Sequence, residues 1–313
     1  MRIYHNLKDV PKNEKISLAI GNFDGVHQGH LQIIEKCRKN GGSCTLLTFD
    51  VHPREYLYPG FAPRLLTLKH EKYAFLKHAG VDIVIELPFS QYCSIDPIKF
   101  LGILDRELQL DSITIGFNFF FGQNQKGNAD LMFWWGRSTG VRINVVPPII
   151  KNGMRVSSTI VREFLATGEM WNAFSFLAYP YVISGKVIEG RRIGRTIDFP
   201  TLNLDVPPKI IPPEGVYFTR TVLENETFFS LTNIGANPTI DSEEKTKRIE
   251  TWIANGNIDE MYGRNIAVYF YKKVRDEIRF SSKEKLSEMI NHDRVQLEQF
   301  KNANKFDDLP DIF

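Results

Sequence analysis

The chain has 313 residues, 42% of them hydrophobic, with 39 Lys and Arg against 37 Asp and Glu. That length exceeds one ordinary domain and is comfortable for two. A net charge of +2 excludes bulk electrostatics as a reason to bind nucleic acid or a membrane surface. No apolar run reaches membrane-spanning length, and residues 1–11 are too polar for a signal peptide. Cys37, Cys44 and Cys93 are three, widely spaced and without a Cys-x-x-Cys pair. A disulfide framework or zinc site is therefore not expected, and a reducing, cytoplasmic setting fits better.

Taken in chain order, residues 16–20 form a short apolar run that suits a buried parallel strand. Residues 21–30 follow and read Gly-Asn-Phe-Asp-Gly-Val-His-Gln-Gly-His. Leu31, Ile33, Ile34 and Cys37 then recur at helical spacing until Gly41-Gly42 stops the helix. The stretch is thus a strand-to-helix turn. Gly21, Gly25 and Gly29 are expected to let backbone approach a ligand closely. The helix N-terminus offers free N–H groups and a positive dipole end to an anion. His27 and His30, three apart, can place their rings on one face. There they can donate to phosphate oxygens and to charge growing on a leaving group. A metal pair or plain surface histidines is the alternative. The three glycines at the same turn favour phosphate.

Residues 43–49 read as a strand running into His52-Pro53, where His52 is either a ligand contact or an ordinary loop residue. A helix is expected over 69–80, a strand over 81–87, a helix from Asp96-Pro97 to 108, and a strand over 112–117. A helix over 128–138 and a strand over 141–146 complete an alternating pattern, which implies a doubly wound parallel sheet. Asn118, Phe119 and Phe121 fall in a loop at a strand end. Its phenylalanines are either core or a flat-ring platform. Ser157, Ser158 and Thr159 suit a helix N-cap, or with Arg162 a triphosphate site.

The texture changes near Tyr179-Pro180. Strands are expected over 181–187, 215–223, 227–233, 248–254, 266–271 and 277–280, with few helix signals between them. That pattern suggests an antiparallel barrel or sandwich. Ser281-x-x-Glu284 reads as a capping box. Leu286, Met289, Ile290, Leu297 and Phe300 give the following terminal helix an apolar stripe. The basic loop holding Gly194 and Arg195 can close over phosphate or be simply solvated. Thr201 and Asn203, two apart on an extended chain, point to one face and offer oxygens that suit Mg²⁺. Glu250 on a strand reads by itself as a solvent-face residue.

The pattern Gly21-x-Phe23-Asp24-Gly25-x-His27-x-Gly29-His30 resembles the signature of the nucleotidyltransferase half of bacterial bifunctional riboflavin kinase/FAD synthetases. Gly116-x-Asn118-Phe119-x-Phe121-Gly122 and Ser157-Ser158-Thr159-x-x-Arg162 are similar to later segments of the same family. So is Thr48-Phe49 with His52-Pro53, where Val51 replaces a proline. In the second half Gly185, Val187, Gly190, Gly194, Arg195, Phe199, Pro200, Thr201 and Asn203 match its riboflavin kinase motif. Pro213-x-Gly215-Val216-Tyr217, Asn233-Ile234-Gly235-x-x-Pro238-Thr239 and Tyr262-Gly263 match further on. Phe120 stands where an arginine is common, Gln125 replaces a basic residue, Asp198 a glycine and Leu202 an alanine.

The resemblance implies an α/β Rossmann-like nucleotidyltransferase domain, residues 1–180, followed by a mainly antiparallel β-barrel riboflavin kinase domain, residues 181–313, with a C-terminal helix. It implies phosphorylation of riboflavin to FMN, then adenylylation of FMN to FAD with release of pyrophosphate. ATP and Mg²⁺ would serve both steps. His27, His30 and Glu250 would be catalytic. Gly21, Phe23, Asp24, Gly25, Gly29, Ser158, Thr159, Arg162, Gly194 and Arg195 would bind ATP and its phosphates. Asn118, Phe119 and Phe121 would serve the flavin or position phosphates, and Thr201 and Asn203 would hold the metal. Two other readings stay open at this point: one live half alone, or a non-catalytic flavin-binding regulator. The oligomeric state is not legible.

Overall fold

The computed structural model describes residues 1–189, 199–224, 226–237, 246–253, 261–278, 282–304 and 306. It comprises two compact units, Met1–Leu65 with Lys72–Ser158, and Leu66–Glu71 with Thr159–Phe313.

The first unit is built on six parallel strands: β1 (Arg2–Tyr4), β2 (Lys15–Ile20), β3 (Ser43–Phe49), β4 (Ile83–Leu87), β5 (Gln109–Gly116) and β6 (Arg142–Val146). Their order across the sheet is β1-β4-β3-β2-β5-β6. The connecting helices are α1 (Gln28–Arg38), α2 (Pro53–Leu57), α3 (Lys69–His78), α4 (Phe89–Tyr92), α5 (Pro97–Glu107) and α6 (Ala129–Thr139). A hairpin of β7 (Ile150–Lys151) and β8 (Met154–Arg155) follows. β2 is buried from Ile16 to Ile20, as a central parallel strand covered on both faces must be. Asp96 caps α5 by accepting from the Ile98 and Lys99 amides, with Pro97 in the tolerated first turn. Asn128 caps α6, and Gly140 ends it in a left-handed conformation.

From β2 the chain adds β3 and β4 on one side of the sheet, then returns to add β5 and β6 on the other. The loops after β2 and β5 therefore flank the reversal of strand order, where doubly wound sheets open a ligand crevice. β1 is an addition to the expected set. Three exposed or half-exposed residues carry no strand signal alone, and pairing with β4 makes them one.

The second unit contains α7 (Ser158–Thr167), which it takes from Thr159 onward, and α8 (Met170–Leu177). A closed barrel follows, of β9 (Tyr181–Ile188), β10 (Leu202–Leu204), β11 (Gly215–Leu223), β12 (Glu226–Asn237), β13 (Thr246–Ile253) and β14 (Asn265–Arg275). Its strand order is β10-β13-β12-β11-β14-β9, antiparallel throughout. The interior carries a chain of buried hydroxyls. Thr221 donates to Ser230, Thr219 bonds Ser230 and Thr232, and Thr232 bonds Thr251 at 2.6 Å. On the outer face α9 (Lys283–Ala303) covers Val216, Phe218 and Leu231 with Leu297.

Several expectations change here. β12 and β14 are longer than read, because pairing carries them past the apolar core. Residues 277 and 278 are not strand, and 279–280 lie outside the described residues. The terminal helix is capped by Ser282, whose side chain accepts from the Lys285 amide, one residue after the expected Ser281. β10 pairs with both β9 and β13 although its sequence is only three residues long. The compact units divide after Ser158, and α8 packs on β9 and β14.

The segment Leu66–Glu71 joins the barrel unit through a buried ion pair. Glu71 and Lys209 are both fully buried, with Nζ 2.5 Å from Oε2. Glu71 also accepts from the Leu68 amide and from the Ser184 amide and hydroxyl. Lys209 donates to the Val182 carbonyl and stands over the Tyr181 ring. Among the described residues no helix is long and apolar enough to cross a membrane.

Candidate active sites

The loop after β2 turns sharply. Phe23, Gly25 and Val26 all have positive φ, at 53°, 83° and 37°. For a β-branched residue such as Val26 that conformation is strained, by roughly 1–3 kcal/mol. Stored strain of this kind marks functional loops. Phe23 is fully buried beneath the turn.

At Gly21 and Gly29 the loop's own rings also leave no room for a side chain. A Cβ at Gly21 would lie 3.0 Å from the Phe23 ring, and one at Gly29 would lie 3.1 Å from the His27 ring. Both glycines make room for rings of the same loop.

His27 is the N-cap of α1. Its Nδ1 accepts from the His30 amide at 3.3 Å. With Nδ1 accepting, a neutral His27 carries its proton on Nε2. The His27 and His30 rings stack, with centroids 3.6 Å apart and planes 13° from parallel. His30 Nδ1 is buried and makes no hydrogen bond. His30 is held well below the ordinary imidazole pKa, first by burial, then by His27 and by Lys72. Stacked imidazoles at the positive end of a helix cannot both be charged without an anion to compensate.

Lys72 is a residue that sequence reading missed. It lies in α3 and in the first unit, 42 positions from His30 in the chain, and no motif marks it. Ser158 ties its end of the chain to the same loop, its hydroxyl donating to the Asp24 carbonyl at 2.9 Å. Thr159 and Arg162 follow in the first turns of α7.

The loop after β5 splits its aromatics between two tasks. Phe121 is core, packed against Phe100. Phe119 is partly buried and stacks on Phe121, with planes 14° from parallel. Phe117 and Phe120 are exposed, with Arg155 over the Phe117 ring. Asn118 is exposed at the turn. His52 proves to be a cap: its Nδ1 accepts from the Arg54 amide at the start of α2.

In the barrel, Glu250 lies on β13 directly opposite Asn203 on β10 and Asn233 on β12. Paired residues of antiparallel strands share a face. Their neighbours Leu202, Thr232 and Thr251 are fully buried and face the interior. The row Asn203–Glu250–Asn233 is therefore on the outer face. Trp252 continues that face, stacked on Phe199 at 4.6 Å, with Arg294 of α9 over its ring. Arg248 Nε stands 3.6 Å from Glu250 Oε1. Thr201, just before β10, has the same parity as Asn203. Gly194, Arg195 and Asp198 lie outside the described residues.

Among the described residues no group of three or more His, Cys, Asp and Glu side chains is arranged to hold a metal. A hydroxyl from Thr201 and an amide oxygen from Asn203, beside a carboxylate, are hard oxygen donors of the kind that suit Mg²⁺ bound together with phosphates.

A family model for FAD synthetase matches residues 9–160, and one for riboflavin kinase matches residues 177–301. The bifunctional riboflavin kinase/FMN adenylyltransferase of Buchnera aphidicola subsp. Schizaphis graminum is 34% identical over 301 residues, 94% of this chain and 96% of that one. Its counterpart in Escherichia coli strain K12 is 33% identical over 312 residues, 97% of this chain and 98% of that one. A crystal structure of a macrolide-efflux protein from Streptococcus pneumoniae has a TM-score of 0.84 and 27% identity, covering 95% of this chain and 98% of that chain. Identity at this level over nearly the whole length, in a chain that joins a doubly wound sheet to a closed barrel, places it in the family of bifunctional riboflavin kinase/FMN adenylyltransferases.

Proposed function

We propose that the chain makes FAD from riboflavin in two ATP-dependent steps, with one constellation of residues for each. The chain is a riboflavin kinase and an FMN adenylyltransferase. We divide the labour at residues 1–180 and 181–313, which the separate family matches to 9–160 and 177–301 support.

In the kinase step a ribityl hydroxyl of riboflavin attacks the γ-phosphorus of ATP, and ADP leaves. Glu250 takes the hydroxyl proton, since a protonated hydroxyl is a poor nucleophile. Asn203 and Thr201 hold a Mg²⁺, which supplies positive charge to the phosphate oxygens when bound. Gly194 and Arg195, which match the family's kinase motif, are assigned to those phosphates on the sequence alone.

In the second step a phosphate oxygen of FMN attacks the α-phosphorus of ATP, and the bond to pyrophosphate breaks. No covalent enzyme intermediate is needed. Catalysis is positioning and charge neutralisation. His27 donates through Nε2. His30, whose proton affinity is lowered by burial, His27 and Lys72, gains from a triphosphate the opposite charge that favours its protonated form. The backbone of Gly21, Phe23, Asp24, Gly25 and Gly29 shapes the cradle, with Ser158, Thr159 and Arg162 as further phosphate contacts. Asn118 positions the reacting phosphates, and Phe119, carried on Phe121, offers a ring to the flavin.

The observation that carries this reading is the stacked His27–His30 pair at the point where the parallel sheet reverses its order. We place the protein in the cytoplasm, in keeping with Cys37, Cys44 and Cys93 as free thiols. The purified chain, given riboflavin, ATP and Mg²⁺, should yield FMN and then FAD on chromatography. Formation of one flavin product alone would leave half of the reading standing, and formation of neither would remove it.

A further inference from the structure

We propose that Arg248 is a positioning residue for phosphoryl transfer, holding the Glu250 carboxylate in place on the outer face of the barrel. The inference rests on the reading of Glu250 as the base.

Arg248 and Glu250 are two apart on β13, so both side chains leave the same face of the strand. They lean towards one another, with Nε 3.6 Å from Oε1, and each is about three-quarters covered, at 26% and 22% exposed. Arg248 Nε is itself buried and makes no hydrogen bond. At 3.6 Å the contact is an ion pair and not yet a hydrogen bond. A small rotation of either side chain would close it into a charge-assisted bond.

The ladder leaves room for this arrangement. The residue opposite Arg248 on β12 is Gly235, which carries no side chain to compete for the space. The Glu277 carboxylate lies over that glycine, its Oε1 2.6 Å from where a Cβ would stand. Any larger residue at 235 would displace the Glu277 carboxylate. On the two flanks of Glu250 itself stand the amides of Asn203 and Asn233, which bring no charge.

Positioning matters because a base must reach within roughly 2.6–3.2 Å of the proton it takes. An error near 1 Å can cost about 10²-fold in rate. A glutamate side chain has three rotatable bonds, and a charged partner on its own strand restricts them.

The test uses the full chain and follows FMN formation from riboflavin. Arg248→Met should lower kcat roughly tenfold, the scale of one partly exposed charged hydrogen bond. KM for riboflavin should stay within about twofold, and FAD formation from supplied FMN should be unchanged, which also reports folding. Arg248→Lys, which keeps the charge, should recover part of the lost kcat. On a Glu250→Gln background, Arg248→Met should cause no further loss, because its action passes through that carboxylate. A tenfold loss that persists on the Glu250→Gln background, or a loss confined to KM, would overturn the inference while leaving Glu250 as the base. Parent-like FMN formation by Glu250→Gln alone would instead overturn the base reading, and this inference with it.

Discussion

His30 refuses a proton that an exposed histidine would accept at mildly acid pH, and its surroundings explain why. Its Nδ1 is closed off, its ring lies against His27, and Lys72 adds a positive field. In the unfolded chain the same imidazole titrates near 6.5. Below that pH the unfolded state binds a proton that the folded state does not, so stability falls as pH falls. Above it both states are neutral and the effect vanishes. The parent protein should therefore lose about 1 kcal/mol relative to His30→Gln between pH 7.5 and 5.5, read by urea unfolding. Parallel pH dependence in the two proteins would contradict a buried neutral imidazole. The pair His27 and His30 was legible in the sequence from its spacing beside glycines. Lys72 was not, because only the packing of α3 brings its charge to the loop. Gly21 and Gly29 were legible as glycine positions, and packing adds a cause the sequence does not show: rings of their own loop, Phe23 and His27, take the space.

At the scale of elements, the strands and helices that could be read were those whose pattern is local. β2 announces itself by an apolar run, and α5 and α6 by Asp96-Pro97 and by Asn128 with Gly140. β1 and β10 are set by partners far away in the chain, so nothing local marks them. Glu250 looked like a solvent-face residue for the same reason. The family resemblance singles it out in the sequence, and the register adds Asn203 and Asn233 on either side of it. The Glu71–Lys209 pair is another long-range feature, 138 residues apart and fully buried. Removing one partner leaves a buried charge without compensation, which typically costs about 3–5 kcal/mol. Lys209→Met should show a loss on that scale in thermal or denaturant unfolding. Glu71→Leu combined with Lys209→Met should recover much of it, since neither charge is then buried alone. A single variant as stable as the parent would mean that the pair holds nothing in place.

Across the whole molecule, the central claim is that two constellations of residues perform two successive reactions, with FMN as the product of one and the substrate of the other. The sites share no residue. His27 and His30 belong to the loop after β2, and Glu250 to β13 of the barrel. The most direct measurement takes two crippled proteins and mixes them. The first is Glu250→Gln and the second is His27→Ala with His30→Ala, each supplied with riboflavin, ATP and Mg²⁺. Loss of general-base help costs roughly 10²–10⁴ in rate, and loss of a transition-state donor roughly 10²–10³. The first variant alone should leave riboflavin almost unconverted while still turning added FMN into FAD. The second alone should accumulate FMN and stop there. Mixed, they should make FAD from riboflavin, because FMN released by the second is substrate for the first. Failure of either variant in both reactions, or FAD made from riboflavin by either variant alone at the parent rate, would contradict the account.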